Sequence, residues 1–298
     1  MMLRFVSLCS GIEGASVAWK PLGWDARLFS EVDRDACKVL ADRHPEVKNV
    51  GDIRNVHLHE GYCDVIVGGT PCQSFSVQGL RKGIDDDRGQ LAFEFFRIVR
   101  EGLPRWVIWE NVTGVLSSNG GRDFGTILGA LDVLGYGFSW RVLDARFFGV
   151  AQRRKRVYLV GHLGGWQRSA AALFDIPTVQ KDGRPTFQVR KGRAAAARKA
   201  SEGDVLGWTG DETPKFGDEI VPTLRAQQGG EGVGVLNGEI RKLTITEWER
   251  LQGFPDGYTD VGISDSARRR LIGNSFCVPV IQWIGKRISF LERHHGEA

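Results

Sequence analysis

The chain has 298 residues, 42% of them hydrophobic, which is enough to build a substantial core and excludes an intrinsically disordered protein. No apolar run approaches the roughly 18–20 uncharged residues of a membrane span, and the N-terminus lacks a signal-peptide pattern, so we expect a cytoplasmic protein with no membrane partner. The formal net charge of +4 is compatible with nucleic-acid binding but does not indicate it alone.

Short apolar runs alternate with amphipathic stretches from the N-terminus to about residue 163. The predicted strands are LRFVSL, ARLFSEV, CDVIVGG, WVIWENV and RVYLVGHL, and the predicted helices are GASVAWKPL, RDACKVLADRH, LAFEFFRIVREG and FGTILGALDVLG. Strands that alternate with helices predict an α/β fold with a doubly wound, mostly parallel sheet covered on both faces. Ligand sites in such sheets form at the carboxyl ends of the strands.

The composition changes after residue 163. The stretch from Gly164 to about Leu236 is rich in Gly, Gln, Arg and Thr and has little helical periodicity, which is typical of a small inserted domain. We therefore predict a main α/β domain over residues 1–163, a smaller domain with its supporting segment over 164–272, and a C-terminal segment, 273–298, that returns to the first domain.

Two turns after predicted strands are suited to a cofactor. CSGIEG follows the first strand, and Glu31 follows the second strand about 20 residues later. A glycine turn at a helix N-terminus can hold a nucleotide-like cofactor, and an acid at this distance often binds ribose hydroxyls. A glycine turn alone is weak evidence, so the other motifs have to support this hypothesis.

The five cysteines are odd in number, widely spaced and free of any C-x-x-C pair: Cys9, Cys37, Cys63, Cys72 and Cys277. This spacing argues against a disulfide framework and against a structural zinc site, and we expect no metal. Four of the cysteines are explained as small buried hydrophobic residues, which leaves one thiol for catalysis.

Cys72 has the setting of a nucleophile, because VIVGGTPCQSFS places it just beyond a buried strand. Pro71 stiffens the approach, and Gly68 and Gly69 let a ligand come close. WVIWENV places Glu110 directly after another apolar strand, where it is suited to proton transfer beside the thiol. Taken alone, Glu110 would also be explained as a surface or helix-capping residue.

Arginine is concentrated in three clusters, QRRKR (152–156), RKGRAAAARK (190–199) and ARRR (267–270). Such clusters contact nucleic-acid phosphates. Each cluster by itself is explained equally well as solvated surface charge.

The ordered motifs resemble those of the cytosine-5 DNA methyltransferase family, of the bacterial or phage type, across nearly the whole chain. FVSLCSGIEGA resembles the cofactor loop, SEVD the ribose acid, GDI the adenine-contacting segment, GGTPCQSFS the nucleophile loop and ENV the carboxylate motif. Later, AQRRKR resembles the Q-x-R-x-R motif, RKLTITEWERLQGFPD the segment supporting the recognition domain, and GNSFCVPV the closing cofactor motif.

The resemblance implies an S-adenosylmethionine-dependent methyltransferase fold with an inserted target-recognition domain. The implied reaction transfers a methyl group from S-adenosylmethionine, leaving S-adenosylhomocysteine, to carbon 5 of a cytosine flipped out of double-stranded DNA at a specific sequence. Carbon 5 is a poor nucleophile, so the family forms a covalent cysteine adduct at carbon 6. We also expect a nucleoid-associated enzyme that acts as a monomer on DNA. Work beside a cognate restriction endonuclease, protection of a phage genome and regulation of transcription all stay open as its setting.

The family pattern transfers to this chain residue by residue. The implied catalytic residues are Cys72, Glu110, Arg154 and Arg156. The implied cofactor-binding residues are Phe5, Gly11, Glu31, Asp52, Ile53, Leu91, Asn274 and Ser275. The implied DNA-binding residues are Gln73, Ser76, Gln78, Arg88, Thr223, Leu224, Arg225 and Gln227.

The recognition region implied by the family spans roughly residues 164–240 and contains VPTLRAQQGG, whose Thr-Leu pair resembles a family signature. Arginine prefers guanine and glutamine prefers adenine in the major groove, but the target sequence cannot be deduced. The chain also departs from the family pattern at three positions. Ser7 replaces an acid, Glu13 replaces a glycine, and Phe276 replaces a smaller aliphatic residue.

Three alternatives stay open at this point. A tRNA substrate would keep the same chemistry, although the recognition insert favours DNA. A catalytically inactive DNA-binding relative would not need to retain Cys72, Glu110 and both arginines. A nicotinamide-dependent oxidoreductase would explain the α/β pattern but not the Pro-Cys pair or the C-terminal motifs, and CSGIEGA is not a regular G-x-G-x-x-G turn.

Overall fold

The computed structural model describes residues 2–70, 89–174, 204–206, 234–236 and 240–294. In the main sheet, β1 spans Arg4–Leu8, β2 Asp25–Ser30, β3 Val65–Gly68, β4 Trp106–Val112, β5 Tyr136–Asp144 and β6 Lys155–Leu163. The strand order is β2-β1-β3-β4-β6-β5. Strand β6 runs antiparallel to both of its neighbours, whereas the other adjacent pairs are parallel. The predicted doubly wound, mostly parallel α/β sheet is therefore confirmed.

Helices flank this sheet and follow it along the chain. They are α1 (Gly14–Trp19), α2 (Arg34–Arg43), α3 (Gly89–Gly102), α4 (Arg122–Val133), α5 (Trp166–Leu173), α6 (Ile245–Gln252), α7 (Asp265–Asn274) and α8 (Val278–Arg293). In the part of the chain that the structure describes, no helix has both the length and the apolar character to cross a membrane.

The two faces of the sheet build two hydrophobic clusters, because successive side chains of a strand point to opposite faces. Phe5 of β1 and Ile108 of β4 belong to the cluster formed with α1 and α5–α8. Val6 and Val107 belong to the other cluster, which includes α3 and α4. Burying such side chains on both faces supplies the main stabilisation of the sheet.

The C-terminal helix α8 returns to the start of the chain. The indole N–H of Trp19, at the end of α1, donates to the Ile281 carbonyl at 3.0 Å. The indole N–H of Trp24 donates to Ser289 Oγ at 2.9 Å. These bonds satisfy two large side chains that would otherwise bury an unpaired donor.

A second, small sheet is formed by β7 (Asp204–Leu206), β8 (Gly234–Leu236) and β9 (Ile240–Lys242), which pair antiparallel in that order. Helices α5, α6 and α7, which also fall within the predicted 164–272 domain, contribute Leu173, Leu251 and Ile272 to the core of the main sheet. The predicted domain boundaries stay a prediction.

Candidate active site

The carboxyl ends of β1, β3 and β4 lie side by side, because these strands are parallel neighbours. The loop from Cys9 to Glu13 leaves β1, Gly69 and Thr70 leave β3, and Glu110 lies near the end of β4. Motifs far apart in the sequence therefore meet at one edge of the sheet, as expected for this topology.

The loop between β1 and α1 has left-handed backbone at three positions, with φ values of 52° at Cys9, 57° at Gly11 and 61° at Glu13. Ser10 ties the loop to the neighbouring strand, since its N–H donates to the Ser30 carbonyl at 3.0 Å. Its hydroxyl donates to the Ser7 carbonyl at 2.9 Å. These two bonds fasten the loop to β1 and β2.

Glu31 lies directly after β2 and faces this loop. Its Oε2 accepts a hydrogen bond from the Gly11 N–H at 2.7 Å, and its Oε1 accepts from the N–H groups of Val32 and Asp33, both at 2.8 Å. The structure therefore brings together Gly11 and Glu31, two of the predicted cofactor residues.

Asn49 is a site residue that the sequence reasoning missed. Its Oδ1 accepts from the Glu31 N–H at 3.0 Å and from the Gly51 N–H at 3.1 Å. Its Nδ2 donates to the Glu31 carbonyl at 3.1 Å. These bonds hold the segment that leads to Asp52 against the end of β2.

Asp52 caps the short helical turn that follows it and binds Arg54. Its Oδ1 accepts from the Arg54 N–H at 2.9 Å, and its Oδ2 lies 2.7 Å from Arg54 Nη2. These bonds with Arg54 lower the pKa of the Asp52 carboxyl. Ile53 beside it is 4% exposed.

Cys9 lies close to both acids. Burial, together with the negative charges of Glu31 and Asp52, raises the pKa of its thiol to about 12, so the thiol is neutral at physiological pH. The sequence analysis explained Cys9 as a small buried hydrophobic residue, and its position directly after β1 is the signal that could have placed it at the site.

Phe5 and Leu91 differ from the predicted pocket residues described so far. Phe5 lies in the middle of β1, is 1% exposed and packs edge-on against Trp19 at 4.9 Å, which favours a core role. Leu91, near the start of α3, is partly buried against the cluster on the other face of the sheet. Val32, which the sequence reasoning missed, is 69% exposed beside Glu31 and offers an apolar surface.

The closing motif packs against the cofactor loop. Asn274 is exposed at the end of α7, whereas Ser275 is 5% exposed and Phe276 6%. A Cβ atom at Gly14, the first residue of α1, would lie 3.0 Å from Ser275 Oγ and 3.3 Å from Phe276 Cβ. A side chain at position 14 would be crowded by these atoms, so the closing motif packs closely against the start of α1.

Glu110 is buried, with 8% of its surface exposed. Its Oε1 lies 3.4 Å from Nε of Arg156 on β6. Burial raises the pKa of the Glu110 carboxyl, and the charges of Arg156 and Arg154 partly counter this effect. A carboxyl with a raised pKa can carry a proton at higher pH than an ordinary glutamate, which suits a general acid.

Thr70, two residues before Cys72, is anchored next to Glu110. Its hydroxyl accepts from the Trp109 indole N–H at 3.2 Å, and its carbonyl accepts from Asn111 Nδ2 at 3.2 Å. A Cβ atom at Gly69 would lie 3.3 Å from Glu110 Oε2 and 3.7 Å from Phe276 Cε1. The chain that leads to the predicted nucleophile thus starts against the predicted acid.

The model of the C-5 cytosine-specific DNA methylase family matches residues 3–191 and 177–289 of this sequence. The chain belongs to that family. Its membership confirms the predicted enzyme class, a DNA cytosine-5 methyltransferase.

Three proteins similar to this chain are a bacterial methyltransferase, a phage methyltransferase and a protein of known structure. Type II methyltransferase M2.BsuMI of Bacillus subtilis (strain 168) is 31% identical over 96% of this chain and 75% of its own length. A protein of Escherichia phage P1 named DNA N-6-adenine-methyltransferase is 27% identical over 96% of this chain and 61% of its own length. The solved structure of Entamoeba histolytica methyltransferase EhMeth matches with a TM-score of 0.72 and 17% identity, covering 98% of this chain and 99% of that one.

In this methylase, Arg154 is turned towards the closing motif. It is 2% exposed and donates to the carbonyls of Gly273 and Ser275, both at 2.9 Å. Gln252 of α6 also donates to the Ser275 carbonyl, at 2.7 Å, and accepts from Gln152 at 2.7 Å. Arg154 therefore holds the closing motif in this structure, whereas Arg156 is the arginine beside Glu110.

The arginines of the 267–270 cluster are paired with carboxylates of the methylase. Arg268 lies 3.4 Å from Glu249, Arg269 3.8 Å from Asp265, and Arg270 donates to Asp33 at 3.2 Å. The structure thus supports a structural role for this cluster over phosphate binding. Within the described residues, no group of His, Cys, Asp and Glu side chains is arranged to hold a metal ion.

Several predicted residues lie outside the described residues. They are Cys72, Gln73, Ser76, Gln78, Arg88, Thr223, Leu224, Arg225, Gln227 and the basic stretch 190–199.

Proposed function

We propose that this methylase transfers a methyl group from S-adenosylmethionine to carbon 5 of a cytosine flipped out of a specific double-stranded DNA sequence, through a covalent Cys72 adduct. The anchoring of Thr70 by Trp109 and Asn111, two residues before Cys72 and against the buried Glu110, is the observation that carries the proposal. It gives the nucleophile loop a fixed origin beside an acid.

The residues at the ends of β1 and β2 fit the methyl donor. S-adenosylmethionine supplies an electrophilic methyl group on a positively charged sulfur. Glu31 would accept hydrogen bonds from the ribose hydroxyls, and the exposed Val32 would cover an apolar face of the adenine. Ser275 Oγ is buried and has no hydrogen-bond partner in the described part of the chain, which leaves it available to a polar ligand.

On the base side, the Cys72 thiolate would add to carbon 6 of the cytosine and make carbon 5 nucleophilic. Glu110, whose pKa is raised by burial, would hold a proton at the ring nitrogen edge, and Arg156 would contact the ring carbonyl. After methylation a solvent base would take the carbon 5 proton, and the electron pair of that C–H bond would re-form the double bond between carbons 5 and 6 and expel the Cys72 thiolate. Flipping is required because a stacked base hides these carbon atoms.

Substitution of Cys72 tests the covalent step. Cys72→Ser should abolish methylation and keep donor binding, because the thiol would contact the base and not the donor. Bisulfite sequencing of DNA from a host that expresses the chain reports activity and target together. A nucleoside digest separates 5-methylcytosine from the N6-methyladenine that the phage relative's name would suggest, and a parallel assay on tRNA tests the RNA alternative.

DNA that carries 5-fluorocytosine at the target should trap a covalent complex, because fluorine cannot leave carbon 5 as a proton does. Active wild-type enzyme that forms no such complex would contradict the covalent mechanism. Cys72→Ser is the matched control, since it should form none.

We further propose that the recognition domain lies within residues 164–240, with Thr223, Leu224, Arg225 and Gln227 at the bases. Arg225→Ala or Gln227→Ala should relax sequence choice by about 1–3 kcal/mol and spare donor binding. Neutralising the 190–199 stretch should weaken binding to all sequences alike and reduce its salt dependence. Methylation profiling on a random-sequence library measures the contrast, and equal effects of both kinds of variant would contradict it.

The remaining proposals concern partners and location. We propose that the enzyme acts as a monomer on DNA in the cytoplasm, associated with the nucleoid, beside a cognate restriction endonuclease. The Type II name of the Bacillus subtilis relative supports the last point. Light scattering of the enzyme bound to a DNA duplex would test the monomeric state.

A further inference from the structure

Glu13 has no part in the chemistry proposed so far, although it lies in the cofactor loop. Its side chain is fully buried, with 0% of the residue exposed. It precedes α1 with a left-handed φ of 61°, a conformation that costs energy for a residue with a Cβ atom. A buried acid on a strained backbone needs surroundings that favour it.

One carboxyl oxygen of Glu13 is well satisfied and the other is not. Oε1 accepts from the Ser16 N–H at 3.0 Å and from the Ser16 hydroxyl at 3.2 Å. Oε2 is buried and has no hydrogen-bond partner of normal geometry among the residues that the structure describes. The Ser7 hydroxyl, on β1, lies close enough to stabilise the ionised Glu13 carboxyl and lower its pKa. It does not form a hydrogen bond of normal geometry with Glu13 Oε2.

Two further titratable groups face Glu13 from other elements. Glu31, after β2, acts on it with a like charge. Tyr258, after α6, donates to the Ile12 carbonyl at 2.9 Å, and its own pKa is raised by burial and by the Glu13 charge. Ser7, Glu31 and Tyr258 thus connect the Cys9–Gly14 loop to three other segments. The negative charge of Glu31 opposes the ionisation of Glu13.

We propose that Glu13 is a positioning residue of the donor site. Its ionised carboxyl would hold the Cys9–Gly14 loop and favour a positively charged sulfonium ligand over the neutral thioether product. This inference rests on the proposed function, because it takes S-adenosylmethionine as the ligand of that loop. Ser7 and Glu13 are two of the positions at which the chain departs from the family pattern.

The ionisation of Glu13 should therefore be linked to donor binding. Burial has the largest effect on the pKa of this carboxyl and raises it to about 7. A cationic ligand favours the ionised form, so S-adenosylmethionine affinity should rise as the pH rises through about 7. If the bound donor lowers this pKa by one unit, the gain is about tenfold. The neutral product should show little of this dependence.

The experiment is calorimetry of S-adenosylmethionine and S-adenosylhomocysteine binding to the full chain, one pH unit on either side of about 7. Wild type should bind the donor more tightly at the higher pH and the product equally at both. Glu13→Gln, which keeps an acceptor for Ser16, should lose the pH dependence and lower the ratio of donor to product affinity. Equal pH profiles and ratios in wild type and Glu13→Gln would overturn the proposal.

A second variant covers the case in which Glu13→Gln fails to fold. Ser7→Ala removes the hydroxyl that lowers the pKa of Glu13, so the midpoint of the donor-affinity profile should move to higher pH. An unmoved midpoint would contradict the role of the Ser7–Glu13 pair. Glu247→Gln is the matched control, because Glu247 is also a buried glutamate at a helix start, on α6, and its loss should leave the profile unchanged.

The double variant Ser7→Asp/Glu13→Gly restores the residue types that the family has at both positions. It should recover donor affinity relative to Glu13→Gly alone, because it returns a carboxylate to the same loop. No recovery would count against charge as the basis of the effect. If wild type itself binds no S-adenosylmethionine at either pH, the proposed function fails, and that result is distinct from pH-independent binding, which contradicts this inference alone.

Discussion

Glu13, in the loop after β1, and Glu110, near the end of β4, are both buried acids, and their neighbours differ. Glu110 faces Arg156 and Arg154, whose charges favour its ionised form against burial. Glu13 has two serine hydroxyls and the like charge of Glu31. Burial raises the pKa of both acids, so burial does not assign their roles. The neighbouring charges distinguish the two acids: the arginines favour the ionised form of Glu110, whereas the negative charge of Glu31 opposes the ionised form of Glu13.

The largest effect is expected for substitution of Glu110, which would contact the cytosine. Glu110→Gln removes the transferable proton and should lower kcat about 10²–10⁴-fold, the usual contribution of a general acid. Donor affinity should stay the same, because Glu110 lies near Gly69 and Arg156 and not in the β1–α1 loop. Single-turnover methylation and donor calorimetry measure both. A loss of donor binding equal to the loss of rate would mean that the two acids do not have separate roles.

The next largest effect is expected for Glu13, whose ionisation should change the free energy of unfolding. Folding raises the pKa of Glu13 from 4.5 to about 7. Between these two pH values the folded protein keeps the Glu13 proton, whereas the unfolded chain has released it. The free energy of unfolding therefore falls as the pH rises through this window, and the contribution is fully present only below the unfolded value. Glu13→Gln cannot titrate, so its stability relative to wild type should increase by about 3 kcal/mol across the window.

Urea denaturation of wild type and Glu13→Gln at a series of pH values measures this difference. The carboxyls whose pKa values are lowered, such as Asp33 and Asp64, are present in both proteins and cancel. A difference that does not change with pH would show that Glu13 keeps its ordinary pKa, and the comparison between the two acids would then fail.

The sequence predicted the strand ends better than the strand directions. Gly11 and Glu31 follow β1 and β2 and are hydrogen-bonded to each other; their strand-end positions were predictable, because strand-end position and spacing are local features. Strand β5 was missed because its buried residues lie mostly at its ends, Tyr136, Leu143 and Asp144, at the edge of the sheet. The antiparallel direction of β6 depends on its pairing with β4 and β5, which no local pattern contains.

The same limit applies to the site residues. Phe5 lies in an apolar strand close to the cofactor motif, and only the packing against Trp19 shows that it belongs to the core. The bonds of Arg154 to Gly273 and Ser275 join residues more than one hundred positions apart. Such contacts depend on the tertiary fold, so a motif can identify Arg154 as part of the site without revealing which neighbour it holds.

The smallest effect is expected for substitution of Glu31, which would act on both the donor and Glu13. Glu31→Ala removes an acceptor of three backbone N–H bonds and should weaken donor binding by about 1–3 kcal/mol, as expected for a charge-assisted hydrogen bond. It also removes a like charge from Glu13, whose pKa should therefore fall. The midpoint of the donor-affinity profile should move to lower pH, opposite to the shift expected for Ser7→Ala.

Glu31→Gln separates these two consequences, because it removes the charge but keeps one acceptor for the Gly11 N–H. It should lose less donor affinity than Glu31→Ala and show the same shift in midpoint. Calorimetry over the same pH series gives both quantities. A midpoint that stays fixed in both variants would mean that Glu31 does not act on Glu13, and the two acids would then act independently on the donor. A midpoint that moves in both would show that the ends of β1 and β2 respond to the donor as one charged unit.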